Sequence, residues 1–346
     1  MHALTGLSPA RLAALLGIPI PEARKVVSVA HRKGVLPKGL AQVTRETMAT
    51  VMSACHIPSL EVIARESSAV DPFQKLVLES RVSERVVRFE TVRIPLQKPG
   101  RFSVCVSSQA GCALACAFCA TGRLGLERNL EAWEIVEQVR LVNATLVAGE
   151  RVSGVVFQGM GEPMANLDRV LQAIEVITDP SALAIDARNL TVCTAGIPSG
   201  ILRLANEAPN VRLAVSIGSA RKDVRRSLMP IERAHAFEEV IDACVLHTKK
   251  TGYSPMWAVT PLAGVNDSDD DARALADLAK SFTERAGKRP RISVIPFNAI
   301  EGDPFARSTR HDAFRDVMAR AGVFSHARYS GAGDIAASCG QLAAKV

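Results

Sequence analysis

The sequence predicts an α/β fold, a parallel sheet with covering helices preceded by a small helical segment. Three observations carry this. Short apolar runs recur at 102–107, 154–158, 189–194, 212–216, 255–260 and 291–296, bounded as strands are. The segments between them have helical length and apolar stripes, of which Leu130, Trp133, Val136, Val139 and Val142 form the clearest. Six such β–α units imply a parallel sheet, either a closed or partial barrel or an open doubly wound sheet. Residues 1–70, by contrast, read as short helices.

The N-terminal segment has its own start signals. Ser8-Pro9 is an N-cap followed by a first-turn proline. Pro21 opens a second helix, with Ala23, Val26, Val27 and Ala30 at helical spacing. Arg24, Lys25, Arg32, Lys33 and Lys38 give this region a basic face. We place a small helical domain at residues 1–75 and the α/β core at 76–346. Near the junction, Val86-Val87-Arg88-Phe89-Glu90-Thr91-Val92-Arg93-Ile94 alternates as a strand does, and Pro95 ends it.

Composition excludes several classes. No apolar run reaches the roughly 18 residues of a membrane span, and the N-terminal stretch lacks a basic segment leading into a signal-type apolar core. A cytoplasmic location is expected, where thiols stay reduced. Eight cysteines spread over 346 residues do not read as a disulfide framework. A net charge of +7 permits a polyanionic partner. Two Trp and two Tyr argue against broad stacking platforms for single strands.

The chemistry-bearing stretch is Gly111-Cys112-Ala113-Leu114-Ala115-Cys116-Ala117-Phe118-Cys119. It follows the first predicted core strand, at the sheet end where such folds bind ligands. Three thiolates on one loop can hold three irons of a cubane and leave the fourth open, where Fe–S clusters normally take four cysteines. The open iron can chelate S-adenosylmethionine (SAM). Zinc is the competing reading, but structural zinc wants four ligands. No second pair is present, and no His lies between His56 and His235. Cys105 stands too far from Cys112 for a usual knuckle.

Motifs collinear from about residue 75 onward add to this. They are Glu90-Thr91-Val92-Arg93-Ile94-Pro95, Cys105-Val106-Ser107-Ser108-Gln109-Ala110-Gly111-Cys112, Gly159-Met160-Gly161-Glu162-Pro163, Gly264-Val265-Asn266-Asp267-Ser268, Ile295-Pro296-Phe297-Asn298, and Asp334-Ile335 leading to Cys339-Gly340-Gln341-Leu342. With them the chain resembles the RlmN/Cfr family of radical-SAM RNA adenine methyltransferases. The resemblance implies a partial (β/α)6 radical-SAM barrel. It implies one [4Fe–4S] cluster on Cys112, Cys116 and Cys119, and SAM contacts from Gly161, Glu162, Cys193, Ser216 and Asn298. Adenine carbons 2 and 8 are electrophilic and resist direct attack on SAM. The family route methylates the tail cysteine, Cys339, from one SAM. A radical from a second SAM takes hydrogen from that S-methyl group, and the methylene radical adds to adenine. Glu90 is then the proton acceptor, and Cys105 attacks Cys339 to release product as a disulfide forms. Implied partners are rRNA, with tRNA as a second target, and an electron donor of the flavodoxin or ferredoxin kind. The implied protein is a monomer with no membrane association.

Some positions depart from the family pattern. Ser216-Ile217-Gly218 stands where Ser-Leu-His is usual, Cys193-Thr194-Ala195-Gly196 where Ser-Thr-Ser-Gly is, and Gly331-Ala332-Gly333-Asp334 where Arg-Gly-Asp-Asp is. These changes touch the substrate-facing edge. They keep open a second reading, the same methyl-cysteine chemistry on another RNA or a small heteroaromatic. A third reading, a non-catalytic RNA- or metal-binding relative, has Cys105, Glu90 and Cys339 against it. A second basic cluster, Arg221, Lys222, Arg225 and Arg226, is a candidate RNA face.

Overall fold

The computed structural model describes residues 1–82, 85–299 and 302–344. Helices α1 (Pro9–Leu16), α2 (Ile20–Lys33) and α3 (Arg45–Ala54) come first, with a two-residue parallel ladder of β1 (His2–Ala3) and β2 (Cys55–His56). The Ser8 hydroxyl accepts from Arg11 N at 3.3 Å and caps α1, as its position before Pro9 predicts. Leu4, Leu12, Val26, Val27, Met48 and Val51 form a separate small core.

Here one expectation needs correction. Residues 61–67 are not helical but form β3 (Glu61–Ser67), which joins the main sheet beside β4 (Gln74–Val82) and β5 (Arg85–Pro95). These three strands pair antiparallel. β3 is an edge strand carrying Glu61, Arg65 and Glu66, and charge on an edge blocks further pairing. That charge breaks the apolar pattern by which strands are read in sequence.

The six expected core strands are present as β6 (Arg101–Cys105), β9 (Arg151–Phe157), β10 (Leu190–Thr194), β11 (Arg212–Ser216), β12 (Met256–Val259) and β13 (Arg291–Val294). A seventh, β14 (Ser325–Ala327), was not anticipated, so β13 is not the last strand. Between β6 and β9 lie the hairpin β7 (Gln109–Cys112) and β8 (Gly125–Asn129), the short helix α4 (Ala120–Leu124) and α5 (Ala132–Ala144). The remaining crossovers carry α6 (Leu167–Thr178), α7 (Pro198–Glu207), α8 (Lys222–Leu228), α9 (Phe237–Thr251), α10 (Asp269–Ala286) and α11 (His311–Arg320).

Strand order decides between the two architectures. β6, β9, β10, β11, β12, β13 and β14 lie side by side in sequence order, all parallel. A doubly wound sheet reverses its order at a switch point. No reversal occurs here, and right-handed crossovers then place every helix on one face. The edges β3 and β14 are not paired with each other, so the sheet does not close into a full barrel. Val155, Phe157, Val192, Leu213, Val215, Trp257 and Ile292 are buried along it. Among the described residues, no helix is long and apolar enough to cross a membrane.

Candidate active site

The cysteine loop is held at the strand ends from three sides. Gly111 adopts φ +73°, and a Cβ there would stand 1.9 Å from Gly125 O, so β7 and β8 approach closely enough only with glycine. Gln138 of α5 exchanges two hydrogen bonds with the backbone of Ser107, at 2.7 and 2.9 Å. Within the loop, Ala117 N donates to Leu228 O at the end of α8. Leu114 and Phe118 pack on a satellite core of Leu228, Met229, Leu262 and Phe297.

Beside this loop opens a cavity of about 490 Å³. Its walls include Cys105 from β6, Cys119 from the loop, Gly159 after β9, Arg328 after β14, and Cys339 from the tail. No motif points to Arg328, since an arginine near a short strand carries no local signal. Burial pushes the Cys105 thiol up to about 12, and raises the Cys339 thiol as well, while the Arg328 charge pulls both down. Cys339 is exposed only in the sense that it faces the cavity, with protein around it. All the cysteines are free thiols.

The tail is tied down over this cavity. Asn298 donates to Ser330 Oγ at 2.8 Å and to Cys339 O at 3.2 Å. Asp71 accepts from Ala332 N at 2.8 Å, and Asp334 accepts from Ala69 N at 2.8 Å. Ala120 N donates to Gly340 O at 2.7 Å, which fixes Cys339 beside the cysteine loop. Such links across hundreds of residues are invisible in sequence.

Glu90 lies one step behind the wall. Val92 and Ile94, two and four residues on and therefore on the same face of β5, line the cavity. The Glu90 side chain is 2% exposed, pairs with Lys75 at 3.2 Å, and accepts from Ala343 N at 2.8 Å.

Several expected SAM contacts have other neighbours. A Cβ at Gly159 would meet Val106 O at 2.7 Å, and one at Gly161 would meet Gln109 Cβ at 2.5 Å. Their smallness lets this turn pack on the segment leading into the cysteine loop. Glu162 accepts from Met164 N at 3.0 Å and Ala195 N at 2.8 Å, and burial raises its pKa. Cys193 is buried, its thiol pushed up by that burial, and it does not border the cavity. Ser216 gives its carbonyl to Arg225 at 2.9 Å.

Arg225 itself corrects the second basic cluster. Its guanidinium has no exposure. It pairs with Glu232 at 2.9 Å, donates to Ala195 O at 2.8 Å, and stacks 4.3 Å from the Phe237 ring centre. Arg221 and Lys222 are paired with Asp271 and Glu238. Arg225 therefore ties the ends of β10 and β11 together and offers nothing to RNA. Arg225→Ala should destabilise the fold by about 3–5 kcal/mol, because Glu232 is left as a buried unpaired charge. Urea unfolding checks this, and a midpoint equal to the parent's would contradict it. The same region accounts for the missing histidine. A Cβ at Gly218 would lie 2.6 Å from Met229 Sδ, so Met229 fills that space.

Comparison with known proteins places this arrangement. The model of the Radical SAM superfamily matches residues 106–279. A probable RNA methyltransferase of Sorangium cellulosum (strain So ce56) is 54% identical, over 97% of this chain and 90% of that protein. The dual-specificity RNA methyltransferase RlmN of Syntrophobacter fumaroxidans (strain DSM 10017 / MPOB) is 40% identical, over 71% of this chain and 70% of that one. The chain belongs to the RlmN family of radical-SAM RNA methyltransferases. The crystal structure of a radical SAM methyltransferase from Sphaerobacter thermophilus superposes with a TM-score of 0.87 at 32% identity, covering all of both chains.

An RlmN-family enzyme uses a [4Fe–4S] cluster and SAM, and the loop thiols fit that cluster. Among the described residues, no three His, Cys, Asp or Glu side chains converge tightly enough for a single ion. A cubane needs a wider set, since each thiolate binds a different iron. The thiols are still near enough for a charge on one to raise its neighbours. Burial pushes Cys112 up to about 11 and Cys116 up to about 12, so cluster binding must release protons.

Proposed function

We propose that this enzyme methylates an adenine ring carbon of rRNA, carbon 2 rather than carbon 8, with tRNA as a second target. The observation that carries this is the meeting of Cys339, from the distant tail, with Cys105 and Cys119, on the first core strand and the loop that follows it, around one cavity. In this reading Cys112, Cys116 and Cys119 hold the cluster. The family resemblance puts Gly161, Glu162, Cys193, Ser216 and Asn298 on the SAM side, behind the cavity that Cys339 faces, with Asn298 released from the tail when SAM binds. The bound cluster and SAM supply one-electron chemistry able to take hydrogen from an S-methyl group. Cys339 carries that methyl group, and its place beside the cluster loop supplies proximity. Glu90 receives the proton lost by the ring carbon. Cys105 then closes a disulfide with Cys339 and frees the product.

Purified from cells with an active cluster, the protein should carry one methyl group on Cys339. Peptide mass spectrometry reads it as one methyl-for-hydrogen exchange, absent from Cys339→Ala. An unmodified Cys339 during turnover would remove the central step.

An electron donor of the flavodoxin or ferredoxin kind, a monomer, and a helical accessory domain within residues 1–75 complete the reading. Arg24, Lys25, Arg32, Lys33 and Lys38 are exposed and, among the described residues, form no ion pair with an acidic side chain. Unpaired surface cations suit phosphates. Replacing Arg24 and Lys25 by alanine should lower the log–log salt slope of RNA binding by roughly 0.7 for each phosphate no longer neutralised. An unchanged slope would assign the face to solvent.

A second reading keeps the chemistry and changes the RNA. Met229 in the space at Gly218, and the small Gly331-Ala332-Gly333 run, favour an altered substrate edge. Mass mapping of RNA treated with the enzyme separates the two.

A further inference from the structure

Three charged side chains on neighbouring strands form a ladder away from Glu90. Glu66 of β3 stands directly opposite Lys75 of β4, and Val77, two residues on, stands opposite Glu90 of β5. Alternation puts all three on one face. Lys75 Nζ lies 3.3 Å from Glu66 Oε2 and 3.2 Å from Glu90 Oε1, and donates to Ile335 O at 2.8 Å. One of its N–H groups donates to Ile335 O, while its charge is shared between the two carboxylates. The side chains of Glu90 and Lys75 are 2% and 5% exposed, while that of Glu66 is 37% exposed. The ladder thus runs from a buried carboxylate to solvent.

A buried base has a problem that an exposed one lacks. Once protonated it must be reset, and the tail covers Glu90 through Ala343 N. A buried carboxylate also needs a partner to remain charged. Lys75 answers the second need directly. With Glu66 it answers the first.

We propose that Lys75 positions Glu90 as a carboxylate and, with Glu66, forms the route by which the ring proton leaves the buried base. This rests on the reading of Glu90 as proton acceptor. The step balances without a co-reactant. Protonated Glu90 passes its proton to Lys75 as Lys75 passes one of its own to Glu66, and the Glu66 carboxyl releases it to water. Glu90 ends as carboxylate, Lys75 as ammonium, and Glu66 as carboxylate again. Because Lys75 also holds Ile335 O, four residues before Cys339, the base is charged and paired while the tail is seated.

The test is a time course on the reconstituted full chain with an in vitro transcript of large-subunit rRNA and excess reductant. Cys339 methylation is measured in parallel to show that each variant holds cluster and SAM. Glu66→Gln should give a burst of one product per enzyme at the parent rate, followed by turnover slowed tenfold or more. Lys75→Met should slow the first turnover too and accumulate the RNA–protein adduct. Lys75→Arg should restore the first turnover, because it keeps the charge, but not the later ones, because guanidinium does not give up a proton. A merely structural lysine would lose burst and steady state together, and arginine would rescue both or neither. Equal first and later rates in Glu66→Gln overturn the route, whatever the Lys75 variants do. Product release by Glu90→Gln at the parent rate would instead overturn the underlying reading of the base. An inactive Glu90→Gln beside a burst-free Glu66→Gln overturns the route alone.

Discussion

Cys119→Ala should abolish SAM cleavage, bringing 5′-deoxyadenosine formation down to the enzyme-free background. Cys119 is the N-cap residue of α4 and a wall of the cavity, so it joins the loop fold to the site. Its backbone N–H donates to Cys116 O at 3.1 Å, a bond that alanine keeps. The hairpin β7–β8, the Gln138 bonds to Ser107 and the packing of Phe118 do not involve its sulfur. Loss of activity with an unchanged unfolding midpoint therefore reports a missing cluster ligand. Two thiolates leave two irons open instead of one, and reconstituted iron content should fall with activity. Cys112→Ala and Cys116→Ala should behave alike. Stoichiometric zinc and no iron in the native protein, or parent-level cleavage in any of the three variants, would contradict the assignment.

Cys105→Ala should trap the enzyme on its RNA. Without a second thiol, the methylene bridge between Cys339 and adenine has no disulfide route to release. The expected readout is a gel shift that survives denaturant and disappears after nuclease. Alanine at a position 9% exposed removes one sulfur and little packing, so folding should survive. The parent enzyme adds a pH test of the same step. Burial pushes the Cys105 thiol up to about 12, and thiolate is the attacking form. Below that value the thiolate fraction rises about tenfold per pH unit, so adduct decay in a single turnover should accelerate with pH. A decay rate flat from pH 7 to about pH 9, or ordinary turnover by Cys105→Ala, would mean that another group resolves the adduct.

The six core strands were legible because parallel strands buried on both faces read as apolar runs. β3 and β4 were not, because their inward charges, Glu66, Lys75 and Glu79, break the run for reasons that only their partners explain. Gly111 stands within a recognisable motif, but its necessity comes from the approach of Gly125, fourteen residues away. Arg225 misled for the opposite reason. Four basic residues in six positions read as one surface, yet a helix turns its residues to different faces. The one facing inward found Glu232, Phe237 and three carbonyls.

Spacing made a cluster loop the leading reading, since three thiols within eight residues stay close together in any fold, and the collinear motifs carried the resemblance that implies the chemistry. Alternating runs likewise settled that strands and helices would build a parallel sheet. Tertiary structure alone decided which distant groups share the cavity. Cys105 and Cys339 meet because β6 and the tail end at the same mouth of the barrel, and Arg328 joins them from β14. Lys75 reaches Glu90 through strand register, which a sequence does not display. Local pattern records what a residue is and how its neighbours repeat. Burial and pairing depend on chain segments brought together by folding, and these choose whether a charge becomes surface, scaffold or base.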